Sequence, residues 1–407
     1  MKVAIVAVGN EVLCGQIVNT NSSYIAVAVE ALGAVVAHQQ VVPDKVEAIV
    51  AGLTEAYKYA DLVLTVGGLG PTVDDLTRNG VASYFQEELV LDEPSLREIE
   101  AFYERINRVM SPNNRQQAMG FASGQMIPNP RGTAPGLFLE KNSKAVFLLP
   151  GPPDELKPMV QNAVLPYIEE RLDIKLLTKS FRLYAIGESA AESKILSLYD
   201  QYPDVNLAPY ASLSFVDYVM SASQKNEGQL HAFERDFRKI LGEHIVGERG
   251  KPLAKTIVEL LKTHKLTIAV AESCSGGMLA SELVNVDGVS EVFREGLITY
   301  SNEAKMARLG VQSETLATYG AVSEETVREM ADNLRLETGV DLAVSISGIA
   351  GPTGGTPEKP VGLCYLALSS KGKTVAESYI FPGDREKIRI RVTSMALYLI
   401  FKHLKTI

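Results

Sequence analysis

Three apolar runs near the N-terminus, Val3–Val8, Ala34–Val42 and Leu62–Val66, are rich in β-branched residues, and each ends in glycine or a polar turn. Helical periods lie between them, at about Ser22–Leu32 and Val46–Ala60. Strands joined by crossovers of helical length pair in parallel, so this alternation predicts a mostly parallel, doubly wound sheet covered on both faces. A further strand, Lys144–Leu149, runs into Pro150-Gly151-Pro152-Pro153 and a helix from Asp154 to about Leu172.

The rhythm changes near Leu176. A strand (Ser180–Ile186), a helix (Ala190–Tyr199), two strands (Leu207–Ala211 and Ser214–Ser221) and a helix (Gln229–His244) make a small α+β unit. Gly247, Gly250 and Pro252 then mark a linker. The last stretch opens with Leu253, Ile257, Leu260 and Leu261 on one helical face. It continues through a strand (Leu266–Ala271), helices at Gly277–Val284, Glu303–Leu309 and Glu324–Leu336, and a strand at Leu342–Ile346. Paired strands (Val361–Leu368 and Thr374–Ile380) and a closing helix (Glu386–Lys402) end it. At 407 residues the chain is too long for one core, and the expected class is α/β in three domains: 1–172, 173–250 and 251–407.

Composition removes several classes of function. A net charge of −9 argues against wrapping nucleic acid, which needs Lys and Arg to neutralise phosphates. No apolar run approaches the roughly 18 residues of a membrane span. The N-terminus lacks the basic region and cleavage site of a signal peptide. Three distant cysteines, Cys14, Cys274 and Cys364, cannot build a disulfide framework or a cysteine-rich zinc site. The expectation is a cytoplasmic protein with no nucleic-acid or membrane partner.

Chemistry concentrates where strands end. The strand Leu266–Ala271 runs into Glu272-Ser273-Cys274-Ser275-Gly276-Gly277 and then a helix. A serine at such a turn sits beside exposed N–H groups and the positive end of a helix dipole, which suits a nucleophile and an oxyanion. Serine is equally the residue type that caps a helix. No G-x-S-x-G elbow occurs, and His264 and His403 lie far along the chain from the turn. The alternative base is a desolvated lysine. Thr299-Tyr300-Ser301-Asn302-Glu303-Ala304-Lys305 offers a strand end and a helix start that bring Tyr300 and Lys305 toward the same mouth, although each residue type also suits a surface role. Gly348, Gly351, Gly354 and Gly355 follow another strand and permit close approach of a ligand, while Arg385 could clamp a phosphate or carboxylate.

The first domain carries its own cluster. Leu62–Val66 ends in Gly67-Gly68-Leu69-Gly70-Pro71-Thr72-Val73-Asp74-Asp75. Glycines let backbone N–H groups approach an anion, and Asp74 and Asp75 suit Mg²⁺ or Mn²⁺. Asn21, Thr133 in the loop Gly132–Gly136, and Pro150–Pro153 belong to turns at the carboxyl ends of the same strands, where ligands of α/β sheets bind. Gly372-Lys373-Thr374 imitates the end of a P-loop but reads as a hairpin turn.

Taken in order, these motifs resemble the CinA family over essentially the whole chain. GNEVLCGQIVNTN, GGLGPTVDDLT, NPRGTAPG and LPGPPDEL are similar to its N-terminal domain, which is of the MogA/MoaB molybdopterin-binding type. The middle unit resembles the family's KH-like connector. AESCSGG, ITYSNEAK, GAVSEETV, SISGIAGPTGG and PGDR resemble its C-terminal domain, the PncC type of nicotinamide mononucleotide (NMN) deamidase. The resemblance implies hydrolysis of the NMN carboxamide to nicotinate mononucleotide and ammonia, with no cofactor. Its Ser, Tyr and Lys catalytic positions fall on Ser273, Tyr300 and Lys305, with Tyr300 a candidate proton intermediary. Cys274, Ser275, Gly276 and Gly277, with Gly351, Gly354 and Arg385, become substrate-binding candidates; the family usually has Thr where Ser275 stands. It further implies a metal-dependent ADP-ribose pyrophosphatase in the first domain. There Gly68, Gly70, Thr72, Asn21 and Thr133 would bind substrate, and Asp74 and Asp75 would bind the metal. A homodimer is also implied. The rival reading is a pterin or molybdenum-cofactor module without deamidase activity.

Overall fold

Six of the seven residues of Lys2–Val8 (β1) are buried, as expected of a strand covered on both faces. The computed structural model describes residues 1–172 and 176–407. After β1 come Thr20–Ala31 (α1), Val35–Val42 (β2), Val46–Ala56 (α2), Leu62–Val66 (β3), Thr77–Phe85 (α3) and Glu93–Arg105 (α4). Gln125–Ile127 (β4), Gly136–Lys141 (β5) and Lys144–Leu149 (β6) follow, then Pro153–Met159 (α5) and Leu165–Glu170 (α6). The sheet order is β2-β1-β3-β6-β5-β4. The four strands read from the sequence, β2, β1, β3 and β6, are parallel. β5 and β4 add an antiparallel edge that the sequence reading lacks, with Leu137 opposite Leu148. The last helix is not continuous as expected. A π turn, Val160–Val164, divides it just after Pro158, whose missing N–H breaks the helical ladder.

Register brings the strand ends together. Ala7 pairs with Val66, and Val66 with Leu149, so the turns after β1, β3 and β6 share one edge of the sheet. The Gly67 N–H donates to the Leu149 carbonyl at 2.9 Å. Gly67 has a φ of 99°, and a Cβ there would stand 2.3 Å from the Val8 carbonyl oxygen, so only glycine fits.

By contacts the chain divides into two units, 1–178 and 179–407. The expected boundary at 172/173 adjoins residues 173–175, which lie outside the described residues. The second unit holds two sheets. Leu176–Tyr184 (β7), Glu188–Gln201 (α7), Asn206–Ala211 (β8), Phe215–Ser223 (β9), Glu227–Leu241 (α8) and Ile245–Gly247 (β10) give the order β8-β9-β7-β10. Leu253–His264 (α9), Ile268–Glu272 (β11), Met278–Val284 (α10), Phe293–Ile298 (β12), Asn302–Leu309 (α11), Ser313–Tyr319 (α12) and Glu324–Thr338 (α13) come next. Leu342–Gly348 (β13), Leu363–Ser370 (β14), Lys373–Ile380 (β15) and Arg385–Leu404 (α14) complete the chain. The order is β12-β11-β13-β14-β15, the first three parallel and the last two antiparallel. Leu261, Val270, Val344 and Ile400 share one of the cores flanking this sheet. Each such aliphatic side chain contributes roughly 1.5–3 kcal/mol by leaving water. Among the described residues no helix is long and apolar enough to cross a membrane.

Candidate active site

In the five-stranded sheet β11 lies between β12 and β13, and Glu272 pairs with both Ile298 and Ile346. The turns after these three strands therefore meet at one edge. Ser273 is fixed there by its N–H, which donates to the Ile346 carbonyl at 3.0 Å. Gly276 and Gly277 take φ values of 63° and 94°, the left-handed region that lets the chain reverse into α10.

Lys305 arrives from the neighbouring turn. Ser301 caps α11 by accepting the Ala304 N–H at 3.1 Å, and Lys305 follows one turn later. It is 1% exposed. Its Nζ lies 3.0 Å from Ser273 Oγ and donates to the Thr299 carbonyl at 2.8 Å and, more weakly, to that of Tyr300 at 3.4 Å. Among the described residues no carboxylate forms an ion pair with it. Burial lowers its pKa, partly opposed by the charge on Cys274. A buried lysine of lowered pKa thus stands against a serine hydroxyl, and among the described residues no histidine is hydrogen-bonded to either.

Tyr300 sits elsewhere than a proton relay requires. It is 62% exposed, and its hydroxyl accepts a hydrogen bond from Arg385 Nη2 at 2.9 Å. Arg385 Nη1 donates to the Gly351 carbonyl at 2.8 Å. Tyr300, Arg385 and Gly351 thus form one connected rim, while Lys305 reaches Ser273 directly, without the expected intermediary. Gly354 has a φ of 87° in the loop beyond Gly351.

The oxyanion donors are also fewer than the sequence suggests. Glu272 is 1% exposed, and its carboxylate accepts the N–H groups of Gly277, Leu279 and Ala280 at 2.9, 3.1 and 2.8 Å. The Gly276 N–H donates to the Ser273 carbonyl at 3.2 Å. Among the described residues no backbone carbonyl accepts the N–H of Cys274 or Ser275 outside the regular elements, and the Cys274 N–H turns to its own thiol. The Ser275 hydroxyl is buried and unpartnered, and the Ser275 carbonyl accepts two bonds from Arg389, at 3.2 and 2.9 Å. Arg389 escapes sequence reasoning, although its place four residues after Arg385 puts both on one helical face. Cys274 and Cys364 are both buried, and a hydrogen bond between their thiols draws Cys274 down and pushes Cys364 up.

In the first unit a cavity of about 390 Å³ is lined by the loop Gly67–Thr72, with Thr133 and Gly151, and by Glu11, Asp44, Asp74, Asp75 and Glu155. The loop is braced from both sides. Asp75 accepts the Thr72 N–H at 2.8 Å and its hydroxyl at 2.6 Å, and Asp74 lies against the same hydroxyl. Gln116 donates to the Gly70 and Thr72 carbonyls at 3.2 and 2.9 Å, and Arg78 to the Leu69 carbonyl at 3.1 Å. Arg78 is 3% exposed and its pKa falls to about 10 through burial. Thr77 packs under Gly68, where a Cβ would stand 2.2 Å from the threonine hydroxyl. Thr133 accepts from Gln117 at 3.2 Å, and Asn21 donates to the Gly151 carbonyl at 2.6 Å, behind the cavity wall. Burial, with Glu11 and Asp74 nearby, raises the Asp44 pKa. Among the described residues no three metal-ligating side chains converge. Asp74 and Asp75 are engaged in holding Thr72 and do not form a finished ligand set. Asp44 and Glu155 are carboxylates of this cavity that sequence reasoning missed, whereas Glu11 belongs to the turn Gly9-Asn10-Glu11 after β1, one of the strand-end turns legible in the sequence.

A family described as "CinA C-terminal domain" matches residues 250–404, and one described as "Probable molybdopterin binding domain" matches residues 4–170. A CinA-like protein of Kosmotoga olearia is 43% identical over 401 residues, covering 98% of this chain and 97% of that one. The chain belongs to the CinA family. Among solved structures, the competence/damage inducible protein CihA of Agrobacterium tumefaciens is 38% identical, covering 38% of this chain and 93% of that one, with a TM-score of 0.37. CinA of Thermoplasma acidophilum is 34% identical, covering 41% and 97%, with a TM-score of 0.38. Ser273, Lys305, Tyr300, Glu272 and Arg385 all fall inside the CinA C-terminal match, and the Gly67–Asp75 cavity inside the other, a MogA/MoaB-like doubly wound domain.

Proposed function

We propose that the C-terminal region hydrolyses the carboxamide of NMN, giving nicotinate mononucleotide and ammonia. The observation that carries this reading is the 3.0 Å approach of the buried Lys305 Nζ to Ser273 Oγ. The motif resemblance to PncC-type deamidases supplies the substrate. Neutral Lys305 takes the Ser273 proton as Oγ bonds to the amide carbon, and the carbonyl electrons move to oxygen. The backbone N–H groups of Cys274 and Ser275, in the turn after the nucleophile, are the donors assigned to that developing charge. As the C–N bond breaks, the Lys305 ammonium returns its proton to the departing nitrogen, which leaves as ammonia. Water then attacks the ester and gives a proton to Lys305, which passes it to Ser273 Oγ as that oxygen leaves. The Tyr300–Arg385–Gly351 rim holds the nucleotide phosphate.

For the N-terminal cavity we propose metal-dependent cleavage of ADP-ribose. The carboxylates lining the cavity, Glu11, Asp44, Asp74, Asp75 and Glu155, do not converge as a ligand set, so Mg²⁺ or Mn²⁺ would be held there only once the cation and the substrate phosphates drew them together. The fit rests on hard oxygen donors, among them Asp44, whose pKa is raised by burial and, to a lesser degree, by the nearby Glu11 and Asp74. The cation supplies charge neutralisation to a pyrophosphate. The loop Gly68–Thr72, with its small residues and rigid bracing, receives the phosphates.

One assay tests both proposals: ammonia release from NMN beside nicotinamide, and AMP release from ADP-ribose, each with Mg²⁺ or with chelator. NMN deamidation unaffected by chelator, together with metal-dependent ADP-ribose cleavage, is the expected pattern. Ammonia release from nicotinamide and not from NMN would overturn the substrate assignment. Tight pterin binding without either turnover would favour the cofactor-module reading.

A further inference from the structure

Glu272 takes up backbone N–H groups at the start of α10 that would otherwise be free to face an anion. Its carboxylate is buried, receives three backbone N–H groups from the start of α10, and stands one residue before the nucleophile. Its main chain is tied in as well: the Glu272 carbonyl accepts the Thr299 N–H at 2.8 Å, and the Thr299 carbonyl accepts Lys305 Nζ at 2.8 Å. The residue therefore joins the start of α10, the Ser273 turn and the peptide that orients the lysine.

We infer that Glu272 is a positioning residue for the serine nucleophile, an inference that rests on the deamidase reading of this site. By taking the Gly277, Leu279 and Ala280 N–H groups, it fixes the direction in which the five-residue turn leaves β11. That direction sets Ser273 Oγ against Lys305 Nζ and leaves the Cys274 and Ser275 N–H groups for the oxyanion. A negative charge this close to a developing oxyanion is electrostatically unfavourable, so its benefit must come through geometry. A carboxylate bound by three N–H donors holds the turn more rigidly than a neutral side chain could. A helix end left to water would hold the serine less firmly, and a displacement of about 1 Å at a reacting atom can cost about 10²-fold in rate.

The test compares the full-length protein with Glu272→Gln and Glu272→Asp. The amide turns an NH2 group toward backbone donors that it cannot accept, while the aspartate keeps the charge and shortens the reach. Three quantities are read: kcat and KM on NMN, the rate at which a fluorophosphonate labels Ser273, and the thermal melt. For Glu272→Gln, kcat and the labelling rate are expected to fall together by about 10²-fold, with KM within about threefold, at a temperature where the variant is folded. Glu272→Asp is expected to fall between. A folded Glu272→Gln that keeps wild-type kcat and labelling rate would overturn the inference, as would a loss that only tracks the unfolded fraction. If Glu272→Gln does not fold, Glu272→Asp decides: wild-type labelling by that variant overturns the inference. If the wild-type protein leaves NMN intact, the substrate reading fails, and the labelling rates still decide the role of Glu272.

Discussion

Lys305 Nζ stands 3.0 Å from Ser273 Oγ, the serine from the turn after β11 and the lysine from α11, which follows the adjacent parallel strand β12. The lysine is buried without a carboxylate partner among the described residues. In the proposed deamidation this pair takes the place of the histidine and aspartate of a conventional triad, with burial lowering the lysine pKa toward the proton-accepting form. Lys305→Ala is expected to lower kcat on NMN by about 10²- to 10⁴-fold, the range for loss of a general base, with a circular dichroism spectrum unchanged from wild type. Steady-state ammonia release checks it.

The acidity of Lys305 gives two pH dependences. Because only the neutral amine accepts a proton, kcat/KM rises with pH through the lowered pKa and then levels. Stability follows the same group. Below the folded-state pKa both states are protonated, and burying the charge costs stability. Between the folded and unfolded pKa values the unfolded chain binds more protons, so stability rises with pH there. Lys305→Met is expected to be more stable than wild type at neutral pH and to lose that rise. Thermal melts between neutral pH and the ordinary lysine range measure it.

In the proposed mechanism Tyr300 and Arg385 serve binding, whereas Lys305 and Ser273 serve proton transfer. Arg385→Ala is expected to raise KM for NMN by about tenfold or more with a smaller change in kcat, as for a lost charged hydrogen bond of about 1.5–3 kcal/mol. Tyr300→Phe removes only the hydroxyl that Arg385 holds. It is expected to keep kcat within about threefold, since Lys305 reaches Ser273 without it. A collapse of kcat in Tyr300→Phe would restore the phenol to the proton path.

The two carboxylates beside Thr72 differ in what they hold. Asp75 receives both the N–H and the hydroxyl of Thr72, whereas Asp74 meets only the hydroxyl. The pair Asp74→Asn and Asp75→Asn is expected to end metal-dependent ADP-ribose cleavage while NMN deamidation continues. Of the single variants, Asp75→Asn is expected to cost more stability, about 0.5–1.5 kcal/mol, because the Thr72 donors are exposed and water can take the place of the carboxylate. AMP release and denaturant unfolding distinguish these effects.

Much of this is legible in the chain itself, because β1, β3, β6 and β11 are apolar runs ending in glycine-rich turns, and parallel strands put such turns at one edge. That logic makes Ser273 and Lys305, 32 positions apart, candidates that suit capping or surface roles equally well, and the resemblance to the CinA motifs singles them out. What stays hidden is polar residues used inward. Glu272, Arg78, Gln116 and Arg389 look like surface side chains in sequence, and only the direction of the following helix or loop aims them at buried backbone groups. Gly136–Lys141 begins inside a small-residue loop, so its antiparallel strand has no turn signal of its own before Asn142. The expected helix Asp154–Leu172 ignores Pro158, where the ladder breaks.

Incubating the Ser273→Ala protein with NMN, and counting ammonia against the wild type, is the most direct measurement. Loss of essentially all turnover by the variant, with a nicotinate-nucleotide ester trapped on the wild-type Ser273 peptide by acid quench and mass spectrometry, is the predicted result. Ammonia released by Ser273→Ala at the wild-type rate would contradict the account.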